Sequence, residues 1–122
     1  MKIYLSHSTN YDYEKDLYGP LKTSSMGREH QILFPHDTEN SSANSKDPIL
    51  HGDLVIAEVS YPSTGQGIEL GWANDGDMPI LCIYKKNAKI SSALRFITNE
   101  LIEYENEEDM LNKLTTWLSA KN

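Results

Sequence analysis

The chain has 122 residues, enough for one domain with a modest core. Its formal net charge is −7 and no run of lysine or arginine could follow a phosphate backbone, which argues against a duplex nucleic-acid binder. A small phosphorylated ligand is still allowed, because backbone N–H groups and hydroxyls can hold one. The single cysteine, Cys82, lies in the apolar run from Ile80 to Tyr84 and reads as a buried strand residue, not half of a disulfide. No apolar stretch is long enough to span a bilayer. The N-terminus opens directly on a strand without a signal-peptide pattern, so a soluble cytoplasmic protein is expected.

Taken in order, residues 2–6 predict a short strand. Residues 12–29 read as helical but interrupted at Gly19-Pro20, which predicts two short helices with Pro20 in the first turn of the second. Ile32-Leu33-Phe34 predicts a second brief strand stopped by Pro35, and the polar, aperiodic residues 36–47 predict a mobile loop. Asp47-Pro48 starts a single turn leading to His51. Residues 54–59 form a continuous apolar run, the pattern of a strand covered on both faces. A helix over about 65–74 and a strand over 80–84 follow, then a short strand at 101–104. The last helix is the clearest element. Asn106 caps it, Glu107, Glu108 and Asp109 fill its first turn, and Met110, Leu111, Leu114, Trp117 and Leu118 share one face.

Alternating strands and helices joined by short crossovers imply an α/β fold. We expect a single domain over 1–122, a Rossmann-like or flavodoxin-like parallel sheet of about five strands flanked by helices. In such open sheets ligands bind beyond the carboxyl ends of the strands. Three polar clusters fall there: Ser6 to Asn10, Pro35 to Asp47, and Ser60 to Glu69.

Residues 53–73, DLVIAEVSYPSTGQGIELGWA, carry the most chemistry. An apolar strand runs into a loop, and the loop opens a glycine-punctuated helix bearing Glu69. A carboxylate in the first helical turn would sit beside unpaired N–H groups and the positive end of the helix dipole. Acidic residues are also common in first turns with no chemical role. The segment resembles the nucleoside 2-deoxyribosyltransferase superfamily, including its deoxynucleoside 5'-monophosphate N-glycosidase branch. The resemblance rests on Asp53, Ala57-Glu58-Val59, Pro62-Ser63, Gly65, Gly67, Glu69-Leu70-Gly71 and Ala73, with weaker echoes at Lys2-Ile3-Tyr4 and Ser91-Ser92-Ala93.

The resemblance implies roles residue by residue. Glu69 takes the place of the nucleophile that attacks the anomeric carbon and holds a covalent glycosyl intermediate. Gly65 and Gly67 let the backbone approach the sugar or its substituent, and Tyr4 stands where a tyrosine orients the nucleophile. Ser8, Ser63 and Ser92 match three serines that hold the 5'-phosphate. Thr9 and Asn10 follow Ser8, where that branch has an apolar residue and an arginine, and His7 replaces a glycine. Ser45 occupies the position of the family's acidic proton donor, so Asp47, closer to strand three, is the expected general acid, with His36 or Asp37 as alternatives. Asp53 reads as structural and Trp72 as packing the Glu69 helix on the sheet. His30, His36 and His51 lack metal-ligand spacing, so no metal and no cofactor are expected. The family forms dimers in which the later serine loop reaches the neighbour's cleft, so a homodimer or higher homo-oligomer is implied. The activity implied is cleavage of the N-glycosidic bond of a (2'-deoxy)nucleoside or its 5'-monophosphate, resolved by water or by another base. The rival is a nucleotide-binding or sensing module that keeps the fold without efficient catalysis. A Rossmann-type dinucleotide site is not favoured, because no Gly-x-Gly-x-x-Gly follows the first strand.

Overall fold

The computed structural model describes residues 1–37 and 44–121. Half of the polar loop expected over 36–47, residues 38–43, therefore lies outside the described residues. Five strands form one sheet in the order β2-β1-β3-β4-β5, every neighbouring pair parallel. They are β1 (Lys2–His7), β2 (Gln31–Leu33), β3 (Leu54–Glu58), β4 (Ile80–Lys85) and β5 (Leu101–Tyr104). The expected α/β class and parallel sheet are thus observed.

Alternation along the strands sorts the core into two layers. Ile3, Leu5, Leu54, Ile56, Leu81 and Ile83 face one side. There they meet Leu21 of α1 (Gly19–Thr23), Met26 of α2 (Ser25–Glu29), and Met110, Leu114 and Leu118 of α5 (Glu107–Lys121). Tyr4, Val55, Ala57, Ile80 and Cys82 face the other side, against Ile49 of α3 (Lys46–Leu50), Leu70 and Ala73 of α4 (Thr64–Asp75), and Leu94 in the 3₁₀ turn Ser92–Phe96. Cys82 is fully buried, and burial pushes its thiol up to about 12. Asn106 caps α5 as expected, its Oδ1 accepting from the N–H of Asp109 at 2.8 Å.

The segment before β2 agrees with expectation in placing Pro20 in a first helical turn and departs from it beyond that. A π-helical turn, Glu14–Tyr18, runs without a break into α1, and Pro20 lies within the first turn of α1. The interruption falls at Ser24, whose extended backbone ends α1 and whose Oγ accepts from the N–H of Gly27 to open α2. Proline costs a helix nothing in its first turn, where its missing N–H has no intrahelical partner. Gly27 marks the tightest approach here, since a Cβ at that position would lie 2.3 Å from the carbonyl oxygen of Leu21. Gly27→Ala is therefore expected to destabilise the protein by about 1–3 kcal/mol, the usual cost of overpacking. A lowered urea midpoint at unchanged slope would register it; an unchanged midpoint would contradict it.

Candidate active site

The sheet order reverses direction between β1 and β3, leaving a crevice at their carboxyl ends. Helix α4 leaves β3 and returns across this crevice. Its N-cap is Ser63, whose Oγ accepts from the N–H of Gln66 at 3.4 Å. Glu69 lies beyond the first turn, which holds no acidic residue, and this corrects the expectation of a carboxylate beside the unpaired N–H groups. Its position is set instead by β1. Tyr4 Oη donates to Glu69 Oε2 at 2.5 Å, and Ser6 Oγ donates to Glu69 Oε1 at 2.9 Å. Tyr4 and Ser6 are spaced by two along the strand and so share a face. Both are buried, while Glu69 is half-buried at the edge of a cleft of about 420 Å³. Burial, then the bond and the charge of Glu69, raise the Tyr4 phenol well above its ordinary range, which keeps it a hydrogen-bond donor.

Two further polar residues lie beneath the cleft. Gln66 is 4% exposed, and its Nε2 donates to the carbonyl oxygens of Glu58 at 2.7 Å and Ser6 at 3.2 Å. Glu58, fully buried at the end of β3, accepts from the N–H of Ser60 at 2.6 Å, from Ser60 Oγ at 3.0 Å and from Tyr104 Oη. Ser60 Oγ in turn accepts from the N–H of Lys85 at 2.8 Å. The start of the 60–63 loop is thereby tied to β3, β4 and β5.

Aromatic rings build the opposite wall. The His7 ring packs at 4.7 Å from Tyr13, 5.1 Å from Tyr18 and 5.2 Å from His36, centroid to centroid. His7 Nδ1 lies 2.9 Å from the carbonyl oxygen of Ser8, which can only accept, so Nδ1 carries the proton. Nε2 is then the acceptor of the Tyr18 hydroxyl at 2.6 Å, and that hydroxyl accepts from the N–H of His36 at 3.0 Å. With both nitrogens engaged, His7 offers the cleft a ring surface and no free proton donor.

Of the residues singled out in the sequence, Glu69, His36, Ser63 and Gly65 line this cleft, together with His7, Thr9, Ser45, Gln66, Ile68 and Trp72. Tyr4 reaches Glu69 from below. Asp47 is exposed and outside the lining, while Ser45 is within it. Asp37 pairs with Lys22 at 2.9 Å. Ser8 is buried, its Oγ accepting from the N–H of Asn10. Gly67 faces a second cavity of about 520 Å³ on the other side of α4, shared with Ser91 but not Ser92. That cavity is larger, but its lining carries no titratable side chain, so the reactive groups gather in the smaller cleft. Ser92 is exposed, and Ser91 caps the 3₁₀ turn through the N–H of Ala93 at 3.2 Å. Asp53 pairs reciprocally with Lys2, accepting its N–H at 2.7 Å and donating its own to the Lys2 carbonyl at 2.8 Å. Trp72 packs on the apolar layer, as expected, and also shows at the cleft. The sequence reading missed Ser6 and Gln66. For Ser6 a signal existed in its two-residue spacing from Tyr4; for Gln66 there was none.

No family model matches the chain. In sequence it is similar to a Trichoplax adhaerens protein named 2'-deoxynucleoside 5'-phosphate N-hydrolase 1, with 27% identity over 111 residues, covering 85% of this chain and 76% of that protein. In fold it is similar to the CMP N-glycosidase BcmB of Clostridium botulinum, with a TM-score of 0.74 and 22% identity over 96% of this chain and 99% of the other. The likeness thus extends to sequence for the N-hydrolase and to fold for the N-glycosidase. A 2-deoxyribosyltransferase of Leishmania mexicana shares the fold over a smaller region, with a TM-score of 0.55 and 22% identity over 68% of this chain and 63% of its own.

Burial of His7, reinforced by nearby His36 and opposed by the bond to Ser8, lowers its pKa to about 4 from the ordinary 6.5. Between those values the unfolded chain holds a proton that the folded chain does not, so stability falls as pH drops through that window. His7→Gln is expected to flatten this part of the profile, measured as urea midpoints from pH 7 to pH 4. An identical slope in parent and variant would assign the acid sensitivity to other groups.

Proposed function

We propose that the protein cleaves the N-glycosidic bond of a (2'-deoxy)nucleoside or its 5'-monophosphate, with Glu69 as nucleophile. The observation that carries this reading is the Glu69 carboxylate at the rim of a cleft, each oxygen fixed by a hydroxyl of β1. The names of the similar proteins, an N-hydrolase and an N-glycosidase, support it. One Glu69 oxygen bonds to the anomeric carbon as the carbon–nitrogen bond breaks, its electron pair passing to the base nitrogen. Tyr4 and Ser6 hold the carboxylate at the angle the attack requires. Water then bonds to the anomeric carbon and releases Glu69; a second base in place of water gives transfer.

The departing base needs a proton. His36 lines the cleft and Asp47 does not, so we assign the donor to His36, which regains its proton from the attacking water. Ser63 and Gly65 line the same cleft at the opening of α4, and the Ser63 hydroxyl with the Gly65 N–H would hold a 5'-phosphate. Ser45, at the position where the family resemblance implies a carboxylate, favours a second reading in which the nucleotide is bound without turnover.

Incubation with nucleosides and their monophosphates, scored for free base by chromatography, separates these readings. The parent is expected to release base and to bind monophosphates more tightly than nucleosides. Glu69→Ala should lose at least about a thousandfold in rate while still binding ligand, since it removes transition-state rather than ground-state interactions. Activity of Glu69→Ala within a few-fold of the parent would remove Glu69 as nucleophile. Binding without base release by the parent would establish the sensor.

We further propose a homodimer in which Ser92, exposed and outside its own chain's cleft, completes the partner's. Mixed Glu69→Ala and Ser92→Ala chains should then regain activity above either parent variant, because half of the hybrid's sites carry neither lesion. With exchange confirmed by a mass tag, no gain would place Ser92 outside the partner's site.

A further inference from the structure

We infer that Gln66 is a positioning residue that holds α4, and through it Glu69, in register with the two strands flanking the crevice. The inference rests on the hydrolase reading above and adds to it a residue that the motif does not single out. Both partners of the Gln66 carboxamide are carbonyls, pure acceptors, so its orientation is fixed with the NH₂ group toward the strands. These carbonyls belong to Ser6 and Glu58, at the last paired rungs of β1 and β3, where Ser6 pairs with Ala57 and His7 with Glu58. One buried side chain thus bridges the switch point of the sheet. It lies three residues before Glu69, on the same side of the helix.

The hydroxyls of Tyr4 and Ser6 cannot hold α4 in place throughout the reaction, because the carboxylate they bind is the reacting group. The Gln66 bonds run to main chain and are untouched by the chemistry. Leu70 and Ala73 pack the following turn on the apolar layer, but among residues 64–69 Gln66 alone is buried. Gly65, Gly67 and Gly71 lie on its open sides, where an added Cβ would meet nothing within 4 Å, and glycines make the helix intrinsically weak. Ser6 receives both anchors, its carbonyl taking Gln66 and its hydroxyl reaching Glu69. A shift of the helix relative to β1 would therefore misplace the nucleophile directly.

The test compares Gln66→Met, similar in length without a donor, with Gln66→Glu, which can donate one bond only when protonated. Amide hydrogen exchange in the intact parent and in Gln66→Met reads the clamp without reference to activity. The amides of residues 66–70 are expected to exchange at least about tenfold faster in the variant, while those of α5 are unchanged. Equal exchange in the two proteins overturns the inference, whether or not the parent proves to be an enzyme. On a substrate the parent cleaves, kcat of Gln66→Met should fall about ten- to a hundredfold with KM within about threefold, a misplaced group rather than lost binding. Adding Tyr4→Phe to Gln66→Met should cost less than the product of the two single losses, since both act on the placement of one carboxylate. Gln66→Glu should recover relative to the parent as pH falls from 8 to 5.5, and Gln66→Met should not. A raised KM at unchanged kcat, or losses that multiply, would assign Gln66 to binding or to bulk stability. Absence of base release by the parent would sink the hydrolase reading alone, leaving the exchange result to decide the clamp.

Discussion

The pairing of β1 with β3 is the constraint on which the rest depends. These strands run side by side in parallel, yet the chain leaves β1 toward one edge of the sheet and β3 toward the other. The connections therefore diverge and leave the strand ends uncovered. Carbonyls at such ends need donors, because a buried acceptor without one is costly. Gln66 supplies them from α4, and the same docking brings Glu69 over Tyr4 and Ser6. Satisfying the sheet and assembling the site are one event here.

The two sides of the crevice are chemically unlike. On one, Tyr4, Ser6 and Glu69 form a compact hydroxyl–carboxylate set. On the other, His7, Tyr13, Tyr18 and His36 stack edge and face, with the His7 nitrogens both consumed. The polar side suits the reacting sugar carbon, and the aromatic side suits a flat ring that leaves it. Behind both, the buried Glu58 carboxylate gathers Ser60 and Tyr104, so the loop that feeds α4 starts from a rigid base. Burial, followed by the charge and hydrogen bond of Glu58, raises the Tyr104 phenol, which keeps its proton available for that bond.

Much of this was legible in the residues. Continuous apolar runs located β3 and β4, because a strand covered on both faces has no polar side to interrupt it. The cap and acidic first turn of α5 marked its start to the residue. The 12–29 segment was harder, since Gly19-Pro20 looks like a break but lies where a helix tolerates it, and the true stop is a serine. For the site, the spacing around Glu69 singled out a residue that lines the cleft but misjudged its place in the helix, because helix starts depend on cap geometry that one or two residues decide. Ser6 meets Glu69, and Gln66 meets Ser6, across sixty or more positions. Apart from the two-residue spacing of Ser6 from Tyr4, local pattern carries no record of such pairings. Asp47 illustrates the opposite error: close to the expected position in sequence, it belongs to a helix whose acidic side chain is exposed.

The alternation of β1 has a consequence for how this chain can change. Its odd and even positions serve different walls, Tyr4 and Ser6 meeting the carboxylate while Ile3, Leu5 and His7 meet the aromatic and hydrocarbon side. A single-residue insertion or deletion within these six positions would exchange the two sets. It would turn Leu5 toward Glu69 and drive hydroxyls into hydrocarbon. Loops around the crevice can lengthen or shorten and still leave a working cleft. The reading frame of this one strand cannot move by a single step without exchanging its two walls.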